Sequence, residues 1–281
     1  MFSILLTLVS FALAGEPVKV IVLDTGYKPN AKFSVPLCPG RVHYDATKRP
    51  GTLSYAPPMD THGHGTHIVS TIFQYAEGAQ LTDEWGQLLS KNISILKLPA
   101  AQGYCFIIVK YYTGTEKNSA KNWIRAQKYI KNLKPPFILN LSGGGPDRLE
   151  EEAIFVRQLL SKGNTIVAAV GNDSQNLTEN GKTYYPAMEP GVTAVGAFYI
   201  TKKKLDTQKP ISSLKVRGKS EEYVYVYPSD FSNYGLKKIV WGFGSLYGAG
   251  LNDDIVNMSG TSQATAMRTG LIVRSKLKGK K

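Results

Sequence analysis

The 281-residue sequence holds only two cysteines, Cys38 and Cys105, and only four histidines. Two cysteines cannot build a disulfide scaffold or a four-cysteine metal site. They could form one bridge, and the sequence leaves that open because it does not report how closely their Cα atoms approach. No stretch reaches the ~20 apolar residues that a membrane-crossing helix needs, so no membrane span is expected. Acidic residues are also scarce, at 21 Asp and Glu against 34 Lys and Arg, for a formal net charge of +13. Neither an aromatic-interleaved basic segment nor a nucleic-acid-binding module accompanies that excess. The runs at Lys202-Lys203-Lys204 and at Lys276, Lys278, Lys280 and Lys281 therefore read as solvated loops and ends, and no nucleic-acid partner is expected. Repeats, composition breaks and low-complexity linkers are absent, so a single domain is expected.

Residues 1–14 carry no charged side chain and finish on Ala12-Leu13-Ala14, a small-x-small site before Gly15. That pattern is expected to be a secretory signal, although no Lys or Arg precedes the apolar run; a buried first strand is the alternative. Cleavage there would leave 15–281 as the domain, with Gly15, Glu16 and Pro17 ahead of the first strand and no pro-segment evident. The protein is then expected to be secreted or periplasmic, the setting in which a Cys38–Cys105 bridge would persist.

Continuous apolar runs bounded by Gly or Pro predict strands buried on both faces at Val18–Leu23, Ile93–Leu98, Phe137–Leu141, Thr165–Val170 and Val192–Gly196. Between them, Ser119–Asn132 and Leu149–Ser161 space their apolar residues on one helical face. Alternation of this kind predicts βαβ units, with reactive groups at the carboxyl ends of the strands. Asp24, Ser142 and Asn172 fall at such ends.

Three short segments carry the chemistry. Ile21-Val22-Leu23-Asp24-Thr25-Gly26 sets a carboxylate at the end of an aliphatic run. His62-Gly63-His64-Gly65-Thr66-His67 leads into Ile68, Val69 and Ile72, and Asn257-Met258-Ser259-Gly260-Thr261-Ser262 leads into the small residues Ala264, Ala266 and Gly270. A serine hydroxyl is a poor nucleophile unless a base stands beside it and a carboxylate orients that base. Asp24, His64 and Ser262 suit those roles. Each alone has a plainer reading: Asp before Gly forms turns, a lone His is commonly structural, and Ser caps helices.

Taken in the order Asp, His, Ser, the segments resemble the subtilisin-like serine peptidases, the subtilase family. Ile138–Gly144, Val167–Asn172, Tyr185-Pro186-Ala187, Val192–Ala197 and Asp230–Gly235 fit the same pattern, so the resemblance runs from Val18 to Gly270. It implies a three-layer α/β fold, a mostly parallel sheet with helices on both faces. By the same resemblance the chain is a serine endopeptidase acting through an acyl-enzyme, with Asp24, His64 and Ser262 catalytic. Asn172 would donate to the oxyanion together with the Ser262 N–H. Ser142, Gly143 and Gly144 on one side, and Ala169 and Gly171 on the other, would receive an extended polypeptide substrate. Strands so poor in side chains would leave room for a large first-subsite residue. The family more often has Leu where Gly143 stands, which implies a wider pocket, and Tyr185–Pro186 is implied to be cis.

Several features depart from that pattern. His62, His64 and His67 match a His-x-His-x-x-His zinc spacing similar to that of metallo-β-lactamases, but Thr66 stands where that family has Asp and no histidine follows. A metal site is therefore not expected. The Asn-rich calcium loop of many relatives is replaced by 77–84, so calcium is unsupported and no cofactor is expected. Asp60 could lie beside the substrate channel or on an exposed turn. The helix after Ser262 lacks the usual Pro-His, carries an unexplained Arg268, and is followed by less chain than the family's closing helices need. A monomer is expected. The competing readings are a subtilisin-like binding protein that kept the three residues without efficient catalysis, and a histidine-cluster metallohydrolase.

Overall fold

The computed structural model describes residues 16–78, 103–115, 119–206, 210–215 and 223–279. In chain order its elements are β1 (Val18–Asp24), β2 (His43–Asp45), β3 (Thr52–Ser54), α1 (His64–Glu77), β4 (Tyr104–Lys110), α2 (Ser119–Ile130), β5 (Phe137–Leu141) and α3 (Glu150–Ser161). Then follow β6 (Thr165–Ala169), β7 (Thr193–Thr201), β8 (Ser212–Lys215), β9 (Tyr223–Pro228), β10 (Val240–Phe243), β11 (Ser245–Ala249), β12 (Ile255–Ser259) and α4 (Thr261–Lys278).

One sheet runs in the order β3-β2-β4-β1-β5-β6-β7-β9-β8, with β10 also on β7, and a β11–β12 hairpin stands apart. Its centre is parallel: β4, β1, β5, β6 and β7 pair in sequence. The antiparallel pairs β2–β3, β7–β9 and β8–β9 lie toward its edges. Successive strand residues face opposite sides, so β1 sends Val20 and Val22 to one core and Ile21 and Leu23 to the other. The first core packs against Ile68 and Ile72 of α1 and Ala264, Ala266 and Val273 of α4. The second packs against Ala126 and Ile130 of α2 and Val156 and Leu159 of α3. The fold is thus the three-layer α/β arrangement, and continuous apolar strands are what burial on both faces requires.

The strand expected at Ile93–Leu98 lies outside the described residues. The neighbour of β1 is β4, seven buried residues paired from Val18↔Tyr104 to Asp24↔Lys110. Cys38 and Cys105 form a disulfide with their Cα atoms 4.9 Å apart, which resolves the question their sequence left open. It fastens the segment entering β2 to β4, beside the backbone bond from Cys38 N–H to the Phe106 carbonyl. Residues 1–14 and most of 77–84 also lie outside the described residues.

Candidate active site

Asp24 ends β1 at 3% exposure, and its backbone carbonyl accepts from Tyr111 N–H at 3.0 Å. Its Oδ1 accepts from Thr25 N–H at 2.7 Å and stands 2.8 Å from His64 Nδ1. His64 opens α1. The chain enters that helix through Gly63 at φ 99°, and Gly63 offers no side chain to cap it.

Asp60 supplies the cap from outside the helix. Its Oδ1 accepts from His62 and Gly63 N–H, both at 2.9 Å, while Oδ2 accepts from Thr66 N–H at 2.8 Å and the Thr66 hydroxyl at 2.7 Å. Helix N-termini leave their first N–H groups without partners, and a carboxylate there is also favoured by the helix dipole. At 1% exposure Asp60 is neither a channel-lining nor an exposed turn residue, which corrects both expectations for it. Burial would raise its carboxyl, yet the hydrogen bonds from Gly63, Thr66 and His62 hold it below the usual range. On the imidazole of His64, burial would lower the affinity for a proton. The charge and hydrogen bond of Asp24, joined by the charge of Asp60, outweigh burial and hold His64 above its ordinary value.

Ser262 is the second residue of α4, so its N–H belongs to the first-turn donors that have no acceptor within the helix. Its hydroxyl donates to the Ser142 carbonyl at 2.9 Å, and the Ser142 hydroxyl donates back to the Ser262 carbonyl at 3.1 Å. Ser142 in turn accepts from Asn140 Nδ2 at 2.9 Å, and Asn140 Oδ1 accepts from the Thr269 hydroxyl of α4 at 2.7 Å. Bonds at both ends of the first three turns of α4 thereby fix the helix against β5.

Asn172 lies three residues past β6. Its Oδ1 accepts from Thr261 N–H at 2.8 Å and the Thr261 hydroxyl at 2.9 Å, capping α4 from another element. The amide is thereby oriented with Nδ2 as its unused donor among the described residues. A Cβ on Gly260 would lie 2.9 Å from Gln263 Oε1, 3.4 Å from Asn172 Nδ2 and 3.7 Å from Ser262 N, so glycine lets these two donors and the Gln263 side-chain oxygen approach one another closely. Asn233 holds this loop: its Oδ1 accepts from Asp173 and Gln175 N–H at 3.1 and 2.9 Å, and its Nδ2 donates to the Val170 carbonyl at 2.8 Å. The sequence pattern included Asn233 but gave it no role. The polar residue in Asp-Phe-Ser-Asn was the available signal.

A family model, the subtilase family, matches residues 15–278. The chain belongs to the subtilase family. It is similar to Subtilisin Savinase of Lederbergia lenta, at 29% identity over 186 residues, 66% of this chain and 57% of that one. The Major intracellular serine protease of Bacillus subtilis (strain 168) is 26% identical over 193 residues, 67% of this chain and 53% of that one. The chain therefore spans about half the length of these curated relatives. Among solved structures, a cold adapted subtilisin-like serine proteinase superposes with TM-score 0.60 at 19% identity, over 93% of this chain and 76% of that one. The Prenylagaramide maturation protease PagA gives TM-score 0.59 at 22% identity, over 95% and 80%. Both establish the subtilisin-like fold.

Within this subtilase fold the strand ends bring Asp24, His64, Ser262, Asn172 and Ser142 to one edge of the sheet. Ser142–Gly145 leaves the end of β5 while Val170–Asn172 leaves the adjacent end of β6. Ala169 is only 2% exposed and supports the second wall from beneath. A Cβ on Gly143 would lie 3.1 Å from the Tyr111 hydroxyl, so an aromatic side chain from the end of β4 fills the space that was expected to be wider. Between Gly144 and Gly171 stands Tyr184: a Cβ on Gly144 would come to 2.7 Å from its Cε1, and one on Gly171 would collide with its Cε2. The expected room for a large first-subsite residue is occupied. The Tyr185–Pro186 bond is cis, as the resemblance implied.

Of the remaining histidines only His62 stands beside His64. His67 is buried on the inner side of α1, with Nε2 3.1 Å from the Leu246 carbonyl and Nδ1 3.4 Å from the Thr71 hydroxyl. His62 is exposed and stands edge-on to Tyr112 and His64. His43 lies at β2, buried, accepting from Ile108 N–H at 3.1 Å. Among the described residues no three His, Cys, Asp or Glu side chains are grouped as a metal site. Arg268, unexplained in the sequence, donates Nε to the Trp241 carbonyl of β10 at 2.6 Å.

Proposed function

We propose that this chain is a serine endopeptidase that cleaves polypeptides through an acyl-enzyme. The observation that carries the reading is the contact of His64 Nδ1 with the buried Asp24 carboxylate, at the same edge of the sheet as a serine at a helix N-terminus. Asp24 fixes the tautomer that leaves His64 Nε2 as the base. Nε2 takes the Ser262 proton as Oγ attacks the peptide carbonyl, and the negative charge that develops on the carbonyl oxygen meets Asn172 Nδ2 and the Ser262 N–H. The imidazolium then gives the proton to the departing amine. Water attacks the acyl-serine with His64 again acting as base, which releases the carboxylic acid and restores the hydroxyl.

The resting bond from the Ser262 hydroxyl to Ser142 must break before transfer to His64. That bond is also what a non-catalytic relative would keep, so it favours the binding-protein reading as the second choice. Treatment of the purified chain with a fluorophosphonate, mapped by mass spectrometry, tests the two. An adduct on Ser262 together with hydrolysis of a protein substrate supports the peptidase; intact Ser262 with no hydrolysis supports the binding protein. Export through cleavage after Ala14, and a monomeric state in solution, belong to the same proposal. N-terminal sequencing of exported protein should find Gly15 or a residue close to it, and a Met1 start would overturn the export reading.

A further inference from the structure

The slot between the two glycine walls is narrow for a specific reason. Tyr184 spans it, with Cε1 turned toward Gly144 and Cε2 toward Gly171. Gly171 adopts φ 98° and is backed by Asn233, so that wall cannot draw away without breaking the Asn233 bonds to the loop. On the other wall, Gly145 N–H donates to the Tyr185 carbonyl at 3.0 Å and Tyr185 N–H donates to the Gly145 carbonyl at 2.7 Å. Tyr184 itself is held on both sides of its peptide: its N–H donates to Met188 Sδ at 3.1 Å, and its carbonyl accepts from Met188 N–H at 3.1 Å. The backbone that carries the ring is therefore held in place, and the ring lies between the two walls, half-buried, beside the strand ends that carry Ser142 and Asn172.

We infer that Tyr184 makes this site selective for polypeptides with a small residue, Gly, Ala or Ser, at the position supplying the scissile carbonyl. A substrate side chain entering between Gly144 and Gly171 meets the phenol ring instead of open space. A methyl or hydroxymethyl group can rest on the ring edge. A Leu or Phe would have to displace the ring from between walls that cannot part, and a pocket discriminates by steric refusal as well as by attraction. The inference rests on the serine peptidase reading.

The test uses the full purified chain and matched peptide amides that differ only in that residue: Ala, Ser, Leu and Phe. The parent should cleave after Ala or Ser at least about tenfold better, in kcat/KM, than after Leu or Phe, the scale on which pocket volume discriminates. Tyr184→Gly should reverse the order by a similar factor, while Tyr184→Phe, which keeps the ring, should retain the parental order. Equal cleavage after Ala and Phe by the parent would overturn the inference even if Tyr184→Gly fails to fold. So would an unchanged preference in a folded Tyr184→Gly protein. Fluorophosphonate labelling run in parallel separates the two readings: labelled Ser262 with unchanged preference removes only the role of Tyr184, whereas no label and no cleavage removes the peptidase reading beneath it.

Discussion

The Ser262 hydroxyl donates to the Ser142 carbonyl at 2.9 Å and makes no hydrogen bond to His64. The proposed nucleophile and base thus lie at one edge of the sheet with the hydroxyl committed elsewhere, and the proposed reaction needs that bond to be exchanged for one to His64. Because the two act as one unit in the proposed reaction, Ser262→Ala, His64→Ala and the double variant should show similarly low peptide hydrolysis. Circular dichroism would control for folding. Losses that add up across the two sites would show that they do not cooperate.

Asn172 has its oxygen committed to Thr261 and, among the described residues, its nitrogen unused. Replacing it with Ala should lower kcat by roughly 10²–10³ with little change in KM, the value known for the equivalent donor in subtilisin and adopted from it. The same change removes the cap on Thr261 N–H, so a loss of about 1 kcal/mol in stability should accompany it. Steady-state kinetics beside urea denaturation reads both effects, and a rise confined to KM would count against the oxyanion role.

Asp60 should be visible in the pH profile. His64 is held above its ordinary value partly by the Asp60 charge, so activity should fall as pH drops through a pKa above the usual imidazole range. Asp60→Asn removes that charge while leaving an oxygen to cap α1. The acid limb of kcat/KM should move to lower pH. An unmoved limb would mean that Asp60 acts only as a cap.

Stability should respond to pH through three buried groups with opposing signs. His43 and His67 are both pushed down to about 4 by burial, so the folded state refuses a proton that the unfolded chain accepts near its ordinary value of 6.5. Their contribution is fully present above about pH 6.5 and is lost as pH falls toward 4, on the order of 3 kcal/mol for each. Glu152, buried beside Glu189, is raised to about 7, first by burial and then by that neighbouring charge, with a hydrogen bond from Trp123 opposing. The stability it lends is full at low pH and is lost as pH rises through about 7. Urea denaturation from pH 4 to 8 should therefore show acid loss in the parent, a shallower loss in His43→Gln, and a gain at pH 8 in Glu152→Gln. A His43→Gln protein with the parental slope would contradict the assignment.

The residues proposed to do the chemistry could be picked out in the sequence because their types and order are those a serine nucleophile would need. Asp24, His64, Ser262 and Asn172 all lie where an alternating α/β pattern puts strand ends and helix starts. Strands buried on both faces announced themselves as apolar runs at β1, β5, β6 and β7. The second partner of β1, β4, did not, because Ile93–Leu98 and Tyr104–Lys110 are both apolar, and period alone cannot say which run pairs with a given strand. Long-range placement was equally hidden. Nothing local tells that Tyr184 returns between Gly144 and Gly171 or that Cys38 meets Cys105. Each depends on chain segments brought together only by the sheet. The cap of α1 by Asp60, by contrast, spans only two to six residues and was missed at short range.

Gly270 lets α4 pass close against α1: a Cβ there would come within 2.5 Å of the Ile72 carbonyl oxygen, 2.7 Å of Tyr75 Cβ and 3.1 Å of Ala76 N. It lies two helical turns beyond Ser262, about 12 Å along the axis. His64 and Ser262 stand at the heads of these two helices, so the crossing is the fulcrum of a pair of levers whose tips carry the proposed base and nucleophile. A single methyl group there would push the two helices apart, so the separation of the proposed base and nucleophile would answer to an atom far from either of them.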